Sequence, residues 1–322
     1  MKDSYGRSID YLRISLTDKC NLRCRYCMPK CGVKSVAHAD ILRFEEIERV
    51  VRIMAGLGVK KVRLTGGEPL VRKNITSLIS SLASVRGIEE LSMTTNGCLL
   101  GEMAKELYAA GLKSINVSLD TLDPAAFTRL TGVDALHSVL EGIDAALACG
   151  MKVKLNCVPV KDVNDKELTR IARYGVERGI PVRFIELMPL GPGAEFTGIA
   201  TDDIIGGLSE EFKELKPEAP EYPGAPAVYY KIESTGSVVG FISPMSHKFC
   251  AYCSRIRLTA AGYLKLCLQY PDGVDLKGPL RDGVDDKGIK RIIRSAVYKK
   301  PKAHSFGSTG NNDNRDMYEI GG

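Results

Sequence analysis

Residues 10–29 of the chain read DYLRISLTDKCNLRCRYCMP, an apolar stretch typical of a β-strand followed by a loop with three cysteines. These cysteines are Cys20, Cys24 and Cys27, so three thiols lie within eight residues. A cubane iron–sulfur cluster has four irons and normally takes four cysteines. A three-cysteine motif therefore leaves one iron open to chelation by a small molecule. It indicates a site of chemistry more than one of electron storage.

Two further residues near this loop leave alternatives open. Cys31 and His38 are close enough in sequence to complete a zinc site. Cys31 could also be the fourth cysteine of a ferredoxin-type cluster. Such runs have x2, x2, x3 spacing with a proline after the last cysteine, whereas here the first gap has three residues and Pro29 precedes Cys31. We therefore interpret Cys31 as a thiol that does not bind the cluster.

The amino-acid composition limits the classes of protein to which this chain can belong. The chain has 322 residues, 44% hydrophobic and 26% charged, as in an ordinary soluble globular protein. No apolar run approaches the roughly 20 residues of a membrane span, and residues 1–7 lack an apolar signal core. We therefore expect a cytoplasmic protein, in which ten cysteines indicate metal ligands or buried thiols. The net charge of +6 permits an anionic ligand, but no long Lys/Arg block predicts nucleic acid binding.

The first ~190 residues alternate between strand-like and helix-like segments. The predicted strands span 11–15, 61–65, 90–94, 114–119, 152–158 and 182–187. Between them, apolar residues recur on one helical face, as in 44–57, 99–110 and 139–147. Six βα units of about 30 residues predict a parallel sheet with right-handed crossovers. They are too few for a complete eight-fold barrel. We predict an α/β fold with a partial (β/α)6 barrel of the TIM type, and a flat doubly wound sheet is the alternative.

An unusual loop follows each predicted strand. These loops contain Cys20–Cys27, Gly66–Pro69, Thr94–Gly97, Ser118–Asp120, Pro159 and Glu186–Pro189. In a parallel α/β fold the carboxyl ends of the strands share one edge, and ligands bind there. Each motif alone is weak, since Gly-Gly-Glu-Pro is often just a turn. Their common placement predicts one ligand-binding mouth at that edge.

A second group of cysteines lies in the C-terminal third of the chain. Cys250, Cys253 and Cys267 again number three. His247 could complete a structural zinc site with them, because such sites have four ligands. A second cluster with an open iron is the alternative.

Two arginines follow this second group. Arg255 and Arg257 lie on a segment, 255–259, that alternates like a strand, so both side chains point to the same face. Two guanidinium groups beside a metal site suit a phosphate or purine ligand, and a pair of surface salt bridges is the other interpretation. No phosphate-binding Gly-x4-Gly-Lys-Ser/Thr loop occurs. A nucleotide would therefore be held by side chains and metal.

The βα rhythm ends near residue 190. Residues 191–226 read as a connection with a helix over 202–215, and another helix is predicted over 285–298. The composition of 304–322, rich in Gly, Asn and Ser, predicts a flexible end. We therefore divide the chain into a barrel (1–190), a cluster-binding and substrate-binding extension (191–303) and a tail (304–322).

These motifs together resemble a known family. The first cysteine spacing, with Tyr26 before the third cysteine, resembles the signature of radical S-adenosylmethionine (radical SAM) enzymes. With the second triad, Arg255-Ile-Arg257 and the terminal Gly-Gly, the chain is similar to the GTP 3′,8-cyclases of molybdenum-cofactor biosynthesis from Asp10 to Gly322. Cys31 departs from the family, which commonly has an acidic residue there.

The resemblance implies a partial barrel with two 4Fe-4S clusters at opposite ends of one cavity. The first triad would bind the cluster that chelates SAM, and the second would bind the cluster that contacts the guanine of GTP. The positions that match SAM contacts are Tyr26, Gly67, Ser118 and Met188. The positions that match GTP contacts are Arg13, Arg63, Thr94, Lys154, Arg255, Ile256 and Arg257. The catalytic positions implied are Arg255, Arg257, Gly321 and Gly322. These basic residues would offset the negative charge of the triphosphate at the carboxyl edge of the strands, where the ligand-binding mouth is predicted.

The resemblance also implies a reaction. The reduced first cluster would donate one electron to SAM, which would cleave to methionine and a 5′-deoxyadenosyl radical. The radical would remove hydrogen from ribose C3′ of GTP, and the C3′ radical would attack guanine C8. Reduction and protonation would give 3′,8-cyclo-7,8-dihydro-GTP, the first step of molybdenum cofactor biosynthesis. The implied partners are an unidentified electron donor and a downstream cyclic pyranopterin monophosphate synthase. A homodimer is one possible oligomeric state of the chain. Binding to nucleic acid or to a membrane is not expected.

Two other functions fit parts of the sequence. A two-cluster electron carrier would bind clusters without turning over SAM. A peptide-modifying radical SAM maturase would also carry auxiliary clusters, but such enzymes usually have more C-terminal cysteines than the three found here.

Overall fold

The computed structural model describes residues 1–29, 36–213, 215–219, 225–306, 313 and 315–321. The predictions made for Cys31 and Gly322 fall outside these residues. The strands are β1 (Tyr11–Ser15), β2 (Lys61–Thr65), β3 (Glu90–Thr95), β4 (Ser114–Ser118), β5 (Lys152–Cys157), β6 (Val182–Ile185), β7 (Leu215–Pro217), β8 (Val228–Ile232), β9 (Val238–Ile242), β10 (Arg255–Leu258), β11 (Tyr263–Lys265) and β12 (Gly273–Asp275). The helices are α1 (Phe44–Ala55), α2 (Ile75–Ala83), α3 (Leu100–Ala109), α4 (Pro124–Thr131), α5 (Leu136–Ala148), α6 (Leu168–Arg178), α7 (Thr201–Phe212), α8 (Lys277–Arg281), α9 (Asp286–Tyr298) and α10 (Met317–Ile320).

The strands form a single sheet in the order β12-β11-β10-β1-β2-β3-β4-β5-β6-β9-β8-β7. Strands β1 to β6 are parallel neighbours, so the predicted six βα units and the partial barrel are confirmed. The extension adds one parallel strand at each side, β10 beside β1 and β9 beside β6. The remaining strands are antiparallel and lie at the two edges. Two regions distant in sequence thus widen the same barrel.

Most predicted element boundaries agree with the structure to within one or two residues. The exception is the helix expected over 202–215, because α7 ends at Phe212 and Leu215 begins β7. Lys213 follows α7 with φ = 62°, a left-handed conformation that interrupts the helix. Helix α9 begins one residue later than predicted because Asp285 is its N-cap, accepting a hydrogen bond from Gly288 N at 2.8 Å.

The barrel strands bury apolar residues on their outer face, against the helices. In β1, Leu12 and Ile14 are fully buried, and Val62 and Leu64 are their partners in β2. The intervening residues, such as Arg13 and Arg63, point inward. The interior of a complete TIM barrel is normally packed with branched apolar side chains, so polar inward positions leave room for a cavity. None of the helices in the described ranges has the length and apolar content needed to span a membrane.

Candidate active site

A cavity of about 450 Å³ runs through the barrel, within the roughly 300–1,000 Å³ of typical small-molecule sites. Its walls are the inward faces of the parallel strands, which contribute every second residue. These wall residues include Tyr11, Arg13, Lys61, Arg63, Thr65, Glu90, Thr94, Asn116, Ser118, Lys154, Asn156, Arg183, Ile185, Arg255 and Arg257. Polar side chains at nearly all of these positions make the cavity a site for a polar, charged ligand.

Three arginines stand side by side in the middle of the cavity. Strand register aligns Arg13 with Arg257 on one side and with Arg63 on the other. Burial, and then the charge of Arg257, lower the pKa of Arg13 well below its ordinary value. Burial, and then Arg255, lower the pKa of Arg257 to about 10. Clustered buried cations of this kind are stabilised by an anion placed among them.

The position of these arginines corrects one prediction. They were expected at the carboxyl edge of the strands, whereas Arg13 and Arg63 lie mid-strand and Arg255 lies at the amino end of β10. The reason is that the curved sheet directs inward side chains of all the strands toward one axis. The ligand space therefore extends along the whole barrel instead of lying only at its mouth.

The first cysteine triad lies at the carboxyl end of the barrel, in the loop after β1. Backbone hydrogen bonds link Cys27 N and Met28 N to the Cys24 carbonyl at 3.0 and 2.9 Å, which turns the loop tightly. Burial raises the pKa of Cys24 well above its ordinary value, with the nearby Cys27 adding to the effect. Burial also raises the pKa of Cys27 to about 12. Thiols that face each other in a buried loop become thiolates when a cation binds between them, so this donor set fits an iron–sulfur cluster.

The loop after β2 supports the first triad. Gly67 N donates to the Thr17 carbonyl at 2.6 Å, and Glu68 N donates to the Lys19 carbonyl at 2.8 Å. A Cβ on Gly67 would lie 2.6 Å from the carbonyl carbon of Lys19, closer than packing allows. Glycine is therefore required for the two loops to meet, directly before Cys20.

Two buried carboxylates order the same end of the cavity. Glu68 accepts from Asn96 N and Thr95 Oγ1, both at 2.7 Å, and burial raises its pKa to about 7. Asp120 accepts from Tyr26 Oη at 2.5 Å and from Val158 N at 2.8 Å. These contacts join the loops that follow five different strands, β1 to β5, as their predicted common placement requires.

The second cysteine triad lies at the opposite, amino end of the barrel. Cys250 and Cys253 flank a short turn directly before β10, and Cys267 follows β11. All three line the cavity. Burial alone would raise the pKa of Cys253, but the charges of Lys300 and Arg255 bring it down to about 7. Cys253 therefore favours the thiolate before any metal binds, whereas burial raises the pKa of Cys250.

Two basic residues missed by the sequence analysis build the second site. Arg7 donates from Nη1 to the Cys250 carbonyl at 2.8 Å. Lys300 donates from Nζ to the Arg255 carbonyl at 2.8 Å and to the Leu266 carbonyl. Each thus ties a cysteine-bearing segment to another part of the chain. Neither residue is near a motif, so no sequence signal marked them.

The alternative zinc site receives no additional ligand from the structure. His247 is exposed, and its Nδ1 lies 3.0 Å from Ser246 Oγ. Within the described ranges, no group of three or more His, Cys, Asp or Glu side chains is arranged around a single metal ion.

The cavity brings together nearly all the predicted site residues. Those that line it are Arg13, Cys20, Cys24, Tyr26, Cys27, Arg63, Gly67, Thr94, Ser118, Lys154, Met188, Cys250, Cys253, Arg255, Arg257 and Cys267. Ile256 does not line it, because its side chain is buried on the outer face of β10. Other wall residues that the sequence analysis did not select are Tyr11, Lys61, Asn156 and Arg183. The signal that could have found them is a polar residue at every second position of an otherwise apolar strand.

The C-terminal tail enters the site, although its composition predicted a flexible end. Its short helix α10 starts with a capping box between Asp316 and Glu319. Gly321 is buried and accepts a hydrogen bond on its carbonyl from Arg257 Nη1. Its φ is +84°, and a Cβ there would lie 2.5 Å from Thr65 Oγ1. Only glycine combines that backbone conformation with such a close approach.

Comparison with known proteins shows the family to which this chain belongs. Residues 14–175 match the family described as Radical SAM superfamily, and residues 180–306 match the family described as Molybdenum Cofactor Synthesis C. A GTP 3′,8-cyclase of Clostridium perfringens (strain 13 / Type A) is 45% identical over 323 residues, covering 100% of both chains. A GTP 3′,8-cyclase of Pelotomaculum thermopropionicum is 44% identical over 326 residues, also covering 100% of both chains. The chain belongs to the GTP 3′,8-cyclase family.

Solved structures show how the family shares its fold. SuiB of Streptococcus suis bound to S-adenosylmethionine superposes with a TM-score of 0.63 at 18% identity, over 88% of this chain and 68% of that one. HydG, a maturase of the [FeFe]-hydrogenase, gives a TM-score of 0.51 at 19% identity, over 63% and 49%. At these identities the likeness concerns the fold alone. This chain thus shares its fold with SuiB and, over a smaller part of its length, with HydG.

Proposed function

We propose that the single barrel cavity is where this chain carries out the GTP 3′,8-cyclase reaction, with one cysteine triad at each end. As a member of the family, the chain is a radical SAM enzyme that converts GTP to 3′,8-cyclo-7,8-dihydro-GTP, the first step of molybdenum cofactor biosynthesis. The observation that carries the proposal is the arrangement along the barrel. Thiols lie at both ends, and three half-buried arginines lie between them.

The first triad would hold a 4Fe-4S cluster through Cys20, Cys24 and Cys27, with SAM on its open iron. When bound, this pair supplies the one-electron chemistry that generates a hydrogen-abstracting radical. Tyr26, Gly67, Ser118 and Met188 would contact SAM. The contribution of the chain is to order this end of the cavity. Asp120 fixes the Tyr26 hydroxyl at 2.5 Å, and the loop after β2 closes against the cysteine loop.

The middle of the cavity suits the triphosphate of GTP. Arg13, Arg63 and Arg257 are half-buried side by side, and an anionic ligand would relieve the repulsion between their charges. Lys154 and Thr94 reach the cavity from β5 and β3. A substrate held here lies between the two triads. Its ribose is then positioned for hydrogen abstraction from one end, while its base reaches the other.

The second triad would hold a second 4Fe-4S cluster, with the guanine of GTP at its open iron and Arg255 and Arg257 beside it. Support comes from the three thiols of Cys250, Cys253 and Cys267 at the cavity wall, and from the positive charges of Lys300 and Arg255 beside Cys253. We propose catalytic roles for Arg255 and Arg257, for Gly321, whose carbonyl Arg257 contacts, and for Gly322. We also propose that the chain divides into regions at residues 190 and 303 and that it acts in the cytoplasm. Its partners would be an external electron donor and a cyclic pyranopterin monophosphate synthase that receives the product.

Anaerobic reconstitution tests this assignment. The wild-type protein is expected to hold about eight irons in two cubanes, and replacing Cys20, Cys24 and Cys27 by Ala should leave about four. With SAM, dithionite and GTP, the wild type should form the cyclised product. Arg257→Ala should lose product and GTP affinity while SAM cleavage without GTP survives, because the first triad is separate. Zinc at the second triad, or unchanged GTP affinity in Arg257→Ala, would overturn the corresponding part.

A further inference from the structure

Exposed aromatic side chains gather outside the second cysteine triad. Among the described residues, the large apolar side chains that are most exposed are Tyr252 at 65%, Tyr298 at 62%, Tyr5 at 54% and Val228 at 50%. The three tyrosines come from the N-terminal segment, the turn between Cys250 and Cys253, and the end of α9. Solvent-exposed aromatic clusters of this kind are typical of protein-binding surfaces.

Arg7 links these tyrosines to one place on the surface. Its guanidinium group stacks over the Tyr5 ring at 5.4 Å and donates to the Cys250 carbonyl at 2.8 Å. The same group donates to the Lys302 carbonyl at 2.8 Å, just beyond α9. Next to Tyr5, Ser4 N donates to the Tyr298 carbonyl at 3.1 Å. The three chain segments therefore form one continuous surface.

The charge of this surface has one sign. Its three segments are residues 1–8, 246–252 and 294–303, all within the described part of the chain. Their exposed charged side chains are Lys2, Lys248, Arg294, Lys299 and Lys302. The one acidic residue in these segments, Asp3, is buried in an ion pair with Arg7. A basic, tyrosine-rich surface suits an acidic protein partner, and two copies of it would repel each other, which disfavours a symmetric dimer through this face.

The surface also lies directly over a redox site. Tyr252 belongs to the same turn as Cys250, and both Cys250 and Cys253 line the cavity on the inner side of that turn. A partner seated on Tyr252 would therefore be separated from the second triad by the turn alone. Electron-transfer partners typically form small, weak interfaces, so a patch of this size is sufficient.

The proposed reaction, on which this inference rests, requires two electrons in each turnover. One electron enters the sulfonium C–S bond of SAM that breaks to release methionine. The other, with one proton, reduces the cyclised radical at the guanine, next to the second triad. We propose that the surface formed by Tyr5, Tyr252, Tyr298 and the surrounding lysines is the docking site of an acidic one-electron carrier protein, which is oxidised by one electron at each encounter.

The test compares a protein donor with a small reductant. Purified acidic flavodoxin, reduced to the hydroquinone, serves as the protein probe, and dithionite as the small one. The variant is Lys248→Glu/Lys299→Glu/Lys302→Glu. A matched control, Lys73→Glu/Lys105→Glu/Lys166→Glu, reverses three exposed lysines elsewhere on the barrel. Iron content and the visible spectrum establish that both variants contain their clusters.

The patch variant is expected to lower kcat/KM for flavodoxin at least tenfold, the scale of electrostatic steering, and to lose most of its salt dependence. Its dithionite-driven turnover and the flavodoxin kinetics of the control should stay at wild-type values. Wild-type flavodoxin kinetics in the patch variant would overturn the proposal. The proposal would also be overturned if the patch variant changed only its oligomeric state, because the surface would then be a contact between two copies of the chain.

Failure of the proposed reaction would give a different result. Wild-type protein would then form no cyclised product even with dithionite. The docking proposal would still be tested by the rate at which reconstituted protein reoxidises reduced flavodoxin without GTP. Loss of that rate in the patch variant alone supports docking at this surface, and an equal rate in both variants contradicts it.

Discussion

The buried ion pair between Lys265 and Asp313 is expected to hold the C-terminal tail in the active site, and Asp313→Ala tests this. The side chain of Lys265, in β11, has no exposed surface, and that of Asp313, in the tail, is 4% exposed. Lys265 Nζ also donates to the Tyr270 carbonyl at 2.8 Å. On the tail side, Asp313 N donates to the Gln269 carbonyl at 2.7 Å. Eight residues further on, Gly321 contacts Arg257.

The size of the effect follows from this geometry. Removing one partner of a buried ion pair costs about 3–5 kcal/mol, because the other charge is left uncompensated. Lys265 keeps its bond to the Tyr270 carbonyl, and burial already lowers its pKa while Asp313 raises it. The Lys265 ammonium can therefore lose its proton in the variant. This favours the lower end of the range of free-energy cost, about 3 kcal/mol. Since 1.4 kcal/mol corresponds to a factor of ten, the equilibrium constant for docking of the tail should fall roughly 100-fold.

The assay is formation of cyclised product from GTP, with SAM cleavage and iron content measured in parallel. Asp313→Ala should lower product formation by as much as about 100-fold, following the fraction of docked tail, while iron content and SAM cleavage without GTP stay unchanged. A protein that combines Asp313→Ala with deletion of Gly321 and Gly322 should form as much product as the deletion alone, because both changes remove the same contact.

A second variant separates the ion pair from simple packing. In Lys265→Met/Asp313→Leu both charges are replaced by apolar side chains, and such exchanges are often neutral or stabilising. Product formation should therefore recover most of what Asp313→Ala loses. Near-normal turnover by Asp313→Ala would refute the anchoring role, and a double variant as inactive as the single one would refute its electrostatic basis.

Three further predictions follow from local contacts and from sequence spacing. Gly67→Ala should lose about four irons, measured after anaerobic reconstitution, because the new Cβ overlaps the Lys19 backbone beside the first triad. Burial alone would raise the pKa of Glu46, but hydrogen bonds led by that from Arg281 lower it to about 2. Ionised Glu46 therefore stabilises the fold above about pH 4.5. Glu46→Gln should lower the free energy of unfolding in urea by about 2 kcal/mol at pH 7, with the difference disappearing as the pH falls toward 2. Cys31→Ala should keep full iron content and SAM cleavage, and loss of four irons in that variant would identify Cys31 as a ligand.

Local sequence patterns determined much of the fold. The six strands of the barrel and their connecting helices follow from alternation with periods of about two and 3.6 residues, which is information carried by neighbouring residues. The cysteine triads were equally visible, because metal ligands on one loop must lie at short, fixed spacings. The α7 boundary was not visible, since it depends on the left-handed conformation of Lys213.

Only the tertiary structure decided how these parts meet. Arg13 and Arg257 come from opposite ends of the chain, and they become neighbours because β10 pairs with β1 in a specific register. The same pairing places the second triad at the amino end of the barrel, away from the carboxyl edge where the loops after the strands predicted the ligand-binding mouth. The composition of the tail predicted flexibility, yet a buried ion pair and the Arg257–Gly321 contact hold its described residues in the cavity. Strand register and long-range ion pairs depend on the packing of distant segments, and no local pattern in the sequence encodes them.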